Sequence, residues 1–339
     1  MVRPTRTAAR AAIVSILDFA EARRPGARSQ LTAALGSPLP DEPDARLPAA
    51  LVPLTLAKAA ALLPEPRLGL ILATVADPNR HGLLDYLAAS SPTLGDAWKR
   101  IGRYVALWNE GMEIGVAAPT GSEVCIELRP TIDHASEDGL RHLFGLAGAT
   151  LVLAGRSLTG GKASPVAIEF ASPAPQNPKS WSDVISVPTL FGAPSTRIVY
   201  PASDAGSPLV GADSALALIL ERYATELLAS RARTLTWRGQ VSGLIVRDLP
   251  KGCCDLPSVA KSLAVGERTL QRRLQEEGTT FDAVHDEARH GLALSYLRDR
   301  TLGVGEVAWL LGFANLPSFY RAFRRWTGST PGDYRAGPG

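Results

Sequence analysis

The stretch GERTLQRRLQEEGTTF, residues 266–281, holds side chains suited to reading another molecule. At helical spacing Leu270, Arg273 and Leu274 share one face, while Arg268, Gln271, Arg272 and Gln275 share the other. Arginine pairs in bidentate fashion with guanine, and glutamine with adenine, at the edges they present in a major groove. A helix with this outer face is therefore equipped to read DNA, although a plain solvated helix can carry the same residues. A second group lies at 316–328, where Phe319, Ala322, Phe323 and Trp326 follow the i, i+3, i+4, i+7 pattern of a buried stripe. Tyr320, Arg321, Arg324 and Arg325 fall outside that stripe. Arg289, on the segment between the two groups, is a candidate phosphate contact, with an ion pair to a neighbouring acid as its other reading.

These side chains need rigid elements beneath them, and the flanking chain supplies the same arrangement twice. Before the first group, Val259-Ala260-x-x-Leu263 marks a short helix with a small residue that admits a close neighbour. Gly266 stands at the break, where a tight turn calls for positive φ, and Gly278 closes the second helix. About 48 residues later Val307-Ala308-x-x-Leu311 repeats the pattern. There Gly312 marks the break, Asn315 is the N-cap, Pro317 sits in the first turn and Gly328 ends the helix. Such a helix-turn-helix places its second helix in a major groove. The connector, residues 281–300, reads as one helix with Phe281, Val284, Ala288, Leu292 and Tyr296 inward. Its span of roughly 30 Å approaches the ~34 Å of one turn of B-DNA. A rod of that length can hold two reading helices in successive grooves.

Charge is distributed in keeping with this. The chain of 339 residues carries a net charge of only +3. Residues 231–339 nevertheless hold 16 Lys+Arg against 11 Asp+Glu, whereas the remainder is slightly acidic. Phosphate neutralisation supplies much of nucleic-acid affinity, so the basic tail is the candidate DNA-binding part.

Length and a hydrophobic content of 45% allow two or three domains. Residues 7–110 read as helices separated by Pro/Gly-rich breaks, and Ser91 or Thr93 is positioned to cap the helix at 91–111. The alternating segment 112–129 reads as a β-hairpin, followed by a helix near 137–158, strands at 164–172 and 196–202, and a helix from Ser214 towards Ala232. After about residue 235 all is helical, with a turn or linker at 249–256 containing Pro250 and Gly252. The expected architecture is an α+β N-terminal domain, residues 1–232, and an all-α C-terminal domain, residues 233–339, with two helix-turn-helix units.

Other chemistries find little support. GRSLTGGKAS (155–164) approaches a phosphate-binding loop, but Gly161 stands where lysine is needed, and Ala163 follows Lys162 where a hydroxyl should hold magnesium. The histidines lack metal-ligand spacing, and no nucleophile elbow is present. No cofactor, no metal and no enzymatic activity are expected. Three cysteines, two of them the adjacent Cys253 and Cys254, read as thiols of a reducing cytoplasm. The apolar N-terminal run is broken by Asp18 and reads as an amphipathic helix rather than a signal peptide, and no segment is long enough for a membrane span. A cytoplasmic protein is the expectation.

The tail resembles the DNA-binding domain of AraC/XylS-type transcriptional regulators, through RTLQRRLQEEG (268–278), the helix bearing Arg289, and GEVAWLLGFANLPSFYRAFRRWTGSTPGDYR (305–335). Residues 81–107 and the later VAIEF, LFGAP and IVY pieces resemble the arabinose-binding-type N-terminal domain of such regulators. Leu316 and Pro317 stand where that family has short polar residues, and His290 where it has an aliphatic one. The resemblance implies promoter or operator DNA as partner, a small-molecule effector, a homodimer and, for an activator, RNA polymerase. Trp98, Tyr104, Trp108, Phe144 and Trp181 are candidate walls of an effector cavity, with Arg103 as a possible anion contact, or else plain core. The competing reading is an N-terminal enzymatic or protein-interaction module for which DNA binding is secondary.

Overall fold

The computed structural model describes residues 6–36, 38–77, 80–133, 135–234, 236–249 and 254–336. The chain divides into two compact units, Met1–Leu228 and Ala229–Gly339.

The first unit opens with β1 (Thr7–Ala9) and α1 (Arg10–Arg23), then α2 (Ala27–Ala34), β2 (Arg46–Pro48), α3 (Leu51–Leu62), α4 (Leu68–Val75), α5 (Leu83–Ala89) and α6 (Leu94–Tyr104). The amphipathic reading of the N-terminal run holds: Ile13, Ile16, Leu17 and Ala20 of α1 are buried in the core. Of the two candidate caps for α6, Thr93 does the work, accepting from the Asp96 N–H at 3.2 Å. The antiparallel pair β1–β2 was not foreseen, because three-residue strands are too short to display an alternation.

The expected hairpin is formed by β3 (Met112–Val116) and β4 (Glu123–Pro130). Val124, Ile126 and Leu128 of β4 alternate inward, the period of a sheet with one covered face. There follow α7 (Glu137–Leu158), β5 (Ala167–Phe170), α8 (Lys179–Ile185), β6 (Thr189–Phe191), β7 (Thr196–Pro201) and α9 (Ser214–Thr234). The sheet order is β3-β4-β7-β5-β6, antiparallel except for the β5–β6 pair. Strand β6 is the member missing from the sequence reading. Helix α7 packs on α4 so closely that a Cβ on Gly69 would lie 2.1 Å from the His142 carbonyl oxygen. The phosphate-loop look-alike is the C-terminal end of α7, with Gly160 and Gly161 at φ 63° and 84° in the turn behind it. A helix C-terminus offers carbonyls rather than N–H groups, the wrong polarity for phosphate.

The second unit is all-helical: α10 (Trp237–Asp248), α11 (Leu256–Ser262), α12 (Glu267–Glu276), α13 (Phe281–Arg298), α14 (Val304–Leu310), α15 (Leu316–Thr327) and α16 (Pro331–Ala336). Val241, Ile245, Leu270, Leu274, Phe319 and Phe323 are among the side chains of its core. Pro250, Gly252 and Cys253 lie outside the described residues. Two expectations need correcting. Gly266 does not hold positive φ: it is the N-cap of α12 at φ −75°, and the left-handed residue of the turn is Ala264 at φ 55°. On α13 the fully buried positions are Val284, Ala288, Ala293 and Leu297, with Phe281, Leu292 and Tyr296 only half-buried. Helices α10, α14, α15 and α16 all pack against α13, so its buried positions do not follow one straight stripe.

Candidate nucleic-acid interface and effector cavity

Helix α11 is capped by Asp255, whose Oδ1 accepts from the Ser258 N–H at 3.0 Å. It lies against α12, which buries Leu270 and Leu274 completely. That orientation leaves Arg268, Gln271, Arg272 and Gln275 exposed together on the opposite face. Arg268, Gln271 and Gln275 have no side-chain hydrogen-bond partner among the described residues. Arg272 has only a loose contact, Nε to Glu276 Oε1 at 3.7 Å. Arg273 belongs to the other side: it is half-buried, lies 5.9 Å from the centre of the Trp237 ring and donates to Glu276 at 3.1 Å. Glu276 was overlooked in the sequence reading, although its i+4 relation to Arg272 is visible there.

In the second helix-turn-helix, Asn315 Oδ1 accepts from the Ser318 N–H at 2.9 Å and starts α15, with Pro317 in the first turn. Gly312 and Gly328 hold φ 69° and 77° at the turn and at the helix end. Phe319, Ala322 and Phe323 are buried, and Arg321, Arg324 and Arg325 are exposed. Their surroundings differ. Arg321 donates to Ser318 Oγ at 3.0 Å, and Arg325 is clasped by Asp286 of α13 at 2.7 Å. The Arg324 side chain has no hydrogen bond among the described residues and only a longer-range attraction to Asp333. Tyr320 is half-buried, edge-on to Phe319, and the neighbouring Leu316 is exposed.

Arg289, on α13, braces the turn of the second helix-turn-helix rather than lying on an open face. Its Nη2 donates to the Gly312 carbonyl at 3.1 Å, and its guanidinium lies 4.8 Å from the centre of the Phe313 ring. Burial pushes the guanidinium below its ordinary pKa, with the nearby Cys254 and Asp286 opposing.

The first unit contains a cavity of about 500 Å³. Leu72, Leu84, Ile101, Trp108, Leu143 and Leu146 supply apolar wall, and Arg80, His81, Asp85 and Thr150 gather on its polar side. Of the aromatic residues considered from sequence, Trp108 alone lines this cavity. Trp98, Tyr104 and Trp181 are core side chains, and Phe144 borders a separate cleft. Arg103 faces Glu221 at 3.1 Å. The polar cluster had a faint sequence signal in the i, i+4 spacing of His81 and Asp85 beside an arginine.

Two family descriptions fit this architecture. Residues 27–209 match the arabinose-binding domain of AraC transcription regulators, and residues 259–337 match a helix-turn-helix domain. The chain belongs to the AraC family of transcriptional regulators. It is 32% identical over 282 residues to the ornithine utilization regulator of Pseudomonas aeruginosa, covering 83% of this chain and 81% of that one. The HTH-type transcriptional regulator VirS of Mycobacterium tuberculosis is 29% identical over 288 residues, covering 83% and 82%. The crystal structure of the regulator CdpR from Pseudomonas aeruginosa overlays with a TM-score of 0.46 at 25% identity, covering 91% of this chain and 96% of that chain. This AraC-family protein is a DNA-binding transcriptional regulator, with an arabinose-binding-type domain ahead of its helix-turn-helix domain. Among the described residues no helix is long and apolar enough to cross a membrane.

Proposed function

We propose that α12 and α15 read successive major grooves on one face of an operator. The observation that carries this is the outer face of α12, where Arg268, Gln271 and Gln275 are exposed and unused by the fold and Arg272 is nearly so. Arg268, Gln271 and Arg272 are assigned to base edges, with Gln275 at the far end of the same face. In α15 the readers are Arg321 and Tyr320, with Leu316 placed to meet a thymine methyl and Arg324 to meet phosphate. Arg289 and Arg325 join the interface only so far as their bonds within the protein leave a donor free. The 18 residues of α13 span about 27 Å, a length compatible with grooves ~34 Å apart.

In this reading residues 1–232 sense the effector, through the cavity around Arg80, and residues 233–339 bind DNA. The protein acts as an activator that contacts RNA polymerase and works as a homodimer. Leu218 and Ile219 of α9, each 66% exposed, offer apolar surface for a second copy. Selection of bound fragments from genomic DNA by the full-length protein at physiological salt tests the groove reading. Two sequence blocks one helical turn apart are expected, and recovery of a single block would sink the paired-groove arrangement. Sedimentation of the same preparation reports whether a dimer forms.

A further inference from the structure

The cavity of the first unit holds a cation that the fold leaves partly unused. Arg80 is half-buried; its Nε donates to His81 Nε2 at 3.1 Å and its Nη2 to Thr150 Oγ1 at 2.6 Å. Nη1 is buried and has no acceptor among the described residues. The acids that line the cavity are occupied elsewhere. Asp85 accepts from His81 Nδ1 at 3.0 Å and from the His81 N–H at 2.8 Å, and Asp77 has a partner of its own. Burial pushes the Arg80 guanidinium below its ordinary pKa, and the charge of Asp85 offsets only part of that. A shielded cation with spare N–H groups is an unfavourable arrangement until something anionic completes it.

The rest of the polar cluster fixes what can complete it. His81 Nε2 can accept from Arg80 only when the ring proton is on Nδ1, which is the position Asp85 selects. Because Asp85 already offsets part of the Arg80 charge, a ligand with one negative charge suits the cluster better than a phosphate dianion. Thr150, already bonded to Arg80, has a hydroxyl proton that can turn to the same anion. Beyond this cluster the walls are mostly apolar, with Ser15, Thr74, Asp77, Asn109 and Ser157 as the further polar members, so most of the ligand must be apolar. In the cleft beside Phe144, Arg141 also keeps a buried Nε without a partner among the described residues, but Asp138 matches its charge directly at 3.0 Å.

We propose that the effector is a monocarboxylate with an apolar body, its carboxylate beside Arg80 and Thr150 and its body against Leu84, Trp108 and Leu143. This rests on the reading of the cavity as the effector site and names the chemistry that site selects. Asp85 and His81 act as positioning residues, holding the guanidinium towards the cavity.

The test is thermal unfolding and calorimetric titration of the full-length protein with octanoate, decanoate and phenylbutyrate, each beside the corresponding alcohol. The wild type should be stabilised by at least one carboxylate and bind it on the order of tenfold more tightly than its alcohol, as expected for a hydrogen-bonded charge pair. Arg80→Met should abolish that preference; it keeps the bulk but removes the bonds to His81 and Thr150, so the melting temperature of the ligand-free protein should fall slightly. Should that variant fail to fold, Arg80→Gln retains an amide donor without the charge and must also lose the preference. Equal binding of acids and alcohols would overturn the carboxylate assignment while leaving the cavity as an effector site. Absence of binding by every probe, from a protein that still binds DNA, would overturn both.

Discussion

Asp286, on α13, accepts from Arg325 Nη2 at 2.8 and 2.7 Å through its two oxygens and from Trp326 Nε1 at 2.8 Å. One carboxylate thus ties the second helix-turn-helix to the connecting helix and partly neutralises Arg325, while the adjacent Arg324 stays exposed. The two neighbours should therefore behave differently. Arg324→Ala is expected to reduce the slope of log affinity against log salt by about 1, the signature of one lost phosphate contact. Arg325→Ala should change that slope less. Asp286→Ala should cost about 1–2 kcal/mol of stability, mostly through the Trp326 bond, because the exposed ion pair itself contributes little. Binding isotherms over a salt series and urea melts of the three variants separate these effects; identical salt slopes for the two arginine variants would refute the assignment.

Arg272 is the sharpest test of base reading on α12. Among the described residues its only ion pair is the 3.7 Å approach to Glu276, so truncation should barely alter the fold. Arg272→Ala should cost roughly 1–3 kcal/mol on the selected operator and much less on random DNA. An equal loss on both would reassign Arg272 to the phosphate backbone.

Arg289 is expected to act on stability rather than on sequence choice. Its bond to the Gly312 carbonyl and its position over Phe313 hold the turn of the second helix-turn-helix against α13. Arg289→Ala should destabilise the protein by about 1–3 kcal/mol, since it removes a half-buried charged donor from the Gly312 carbonyl and a cation from the Phe313 ring. Denaturant melts measure that cost. Unchanged stability with a lower salt slope would restore Arg289 to the phosphate-contacting set.

The DNA-binding half was legible because its signals are local and repeated. Leu270 and Leu274, or Phe319 and Phe323, fix which side of each helix is inward, and the opposite arginines follow from helical geometry alone. Arg289 and Arg325 were harder to place. Their partners, Gly312 and Asp286, are distant in sequence, and the choice between phosphate and protein is made by tertiary packing. The cavity proposed for the effector was the least legible part. Arg80 and Thr150 meet only when α7 is laid beside the segment entering α5, and aromatic content pointed to Trp98 and Tyr104, which are core. Strands of three residues such as β6 carry no pattern to recognise.

The turn between α11 and α12 yields a prediction opposite to the sequence expectation. Ala264, not Gly266, holds the left-handed conformation, at φ 55°. An L-residue there costs about 1–2 kcal/mol relative to its preferred backbone, against which glycine loses some extra chain entropy on folding. Ala264→Gly should accordingly stabilise the second unit by about 0.5–1 kcal/mol. Gly266→Ala should be tolerated, because φ is −75° and a Cβ would meet nothing within 4 Å. Urea melts of the two single variants decide it; a destabilised Ala264→Gly protein would place the strain elsewhere.

His142 makes the stability of the first unit depend on pH. The side chain is only 1% exposed, and its Nδ1 has no partner among the described residues. Burial lowers its pKa below the ordinary histidine range; Asp138, 3.7 Å from Nε2, opposes this, and Arg141 adds to it. The folded state therefore binds the proton less readily than the unfolded chain. In the window between the lowered folded value and about 6.5 the unfolded chain carries more protons, so stability rises with pH there. The contribution of neutral His142 is intact above about pH 6.5 and declines as the pH drops below that, by at most about 1.4 kcal/mol per unit. His142→Leu should flatten this part of the profile in urea melts taken across the window. His285 of the second unit, also lowered chiefly by burial, leaves a residual slope of the same sign. A His142→Leu profile as steep as that of the wild type would mean that water reaches the ring in solution and that His142 protonates without penalty.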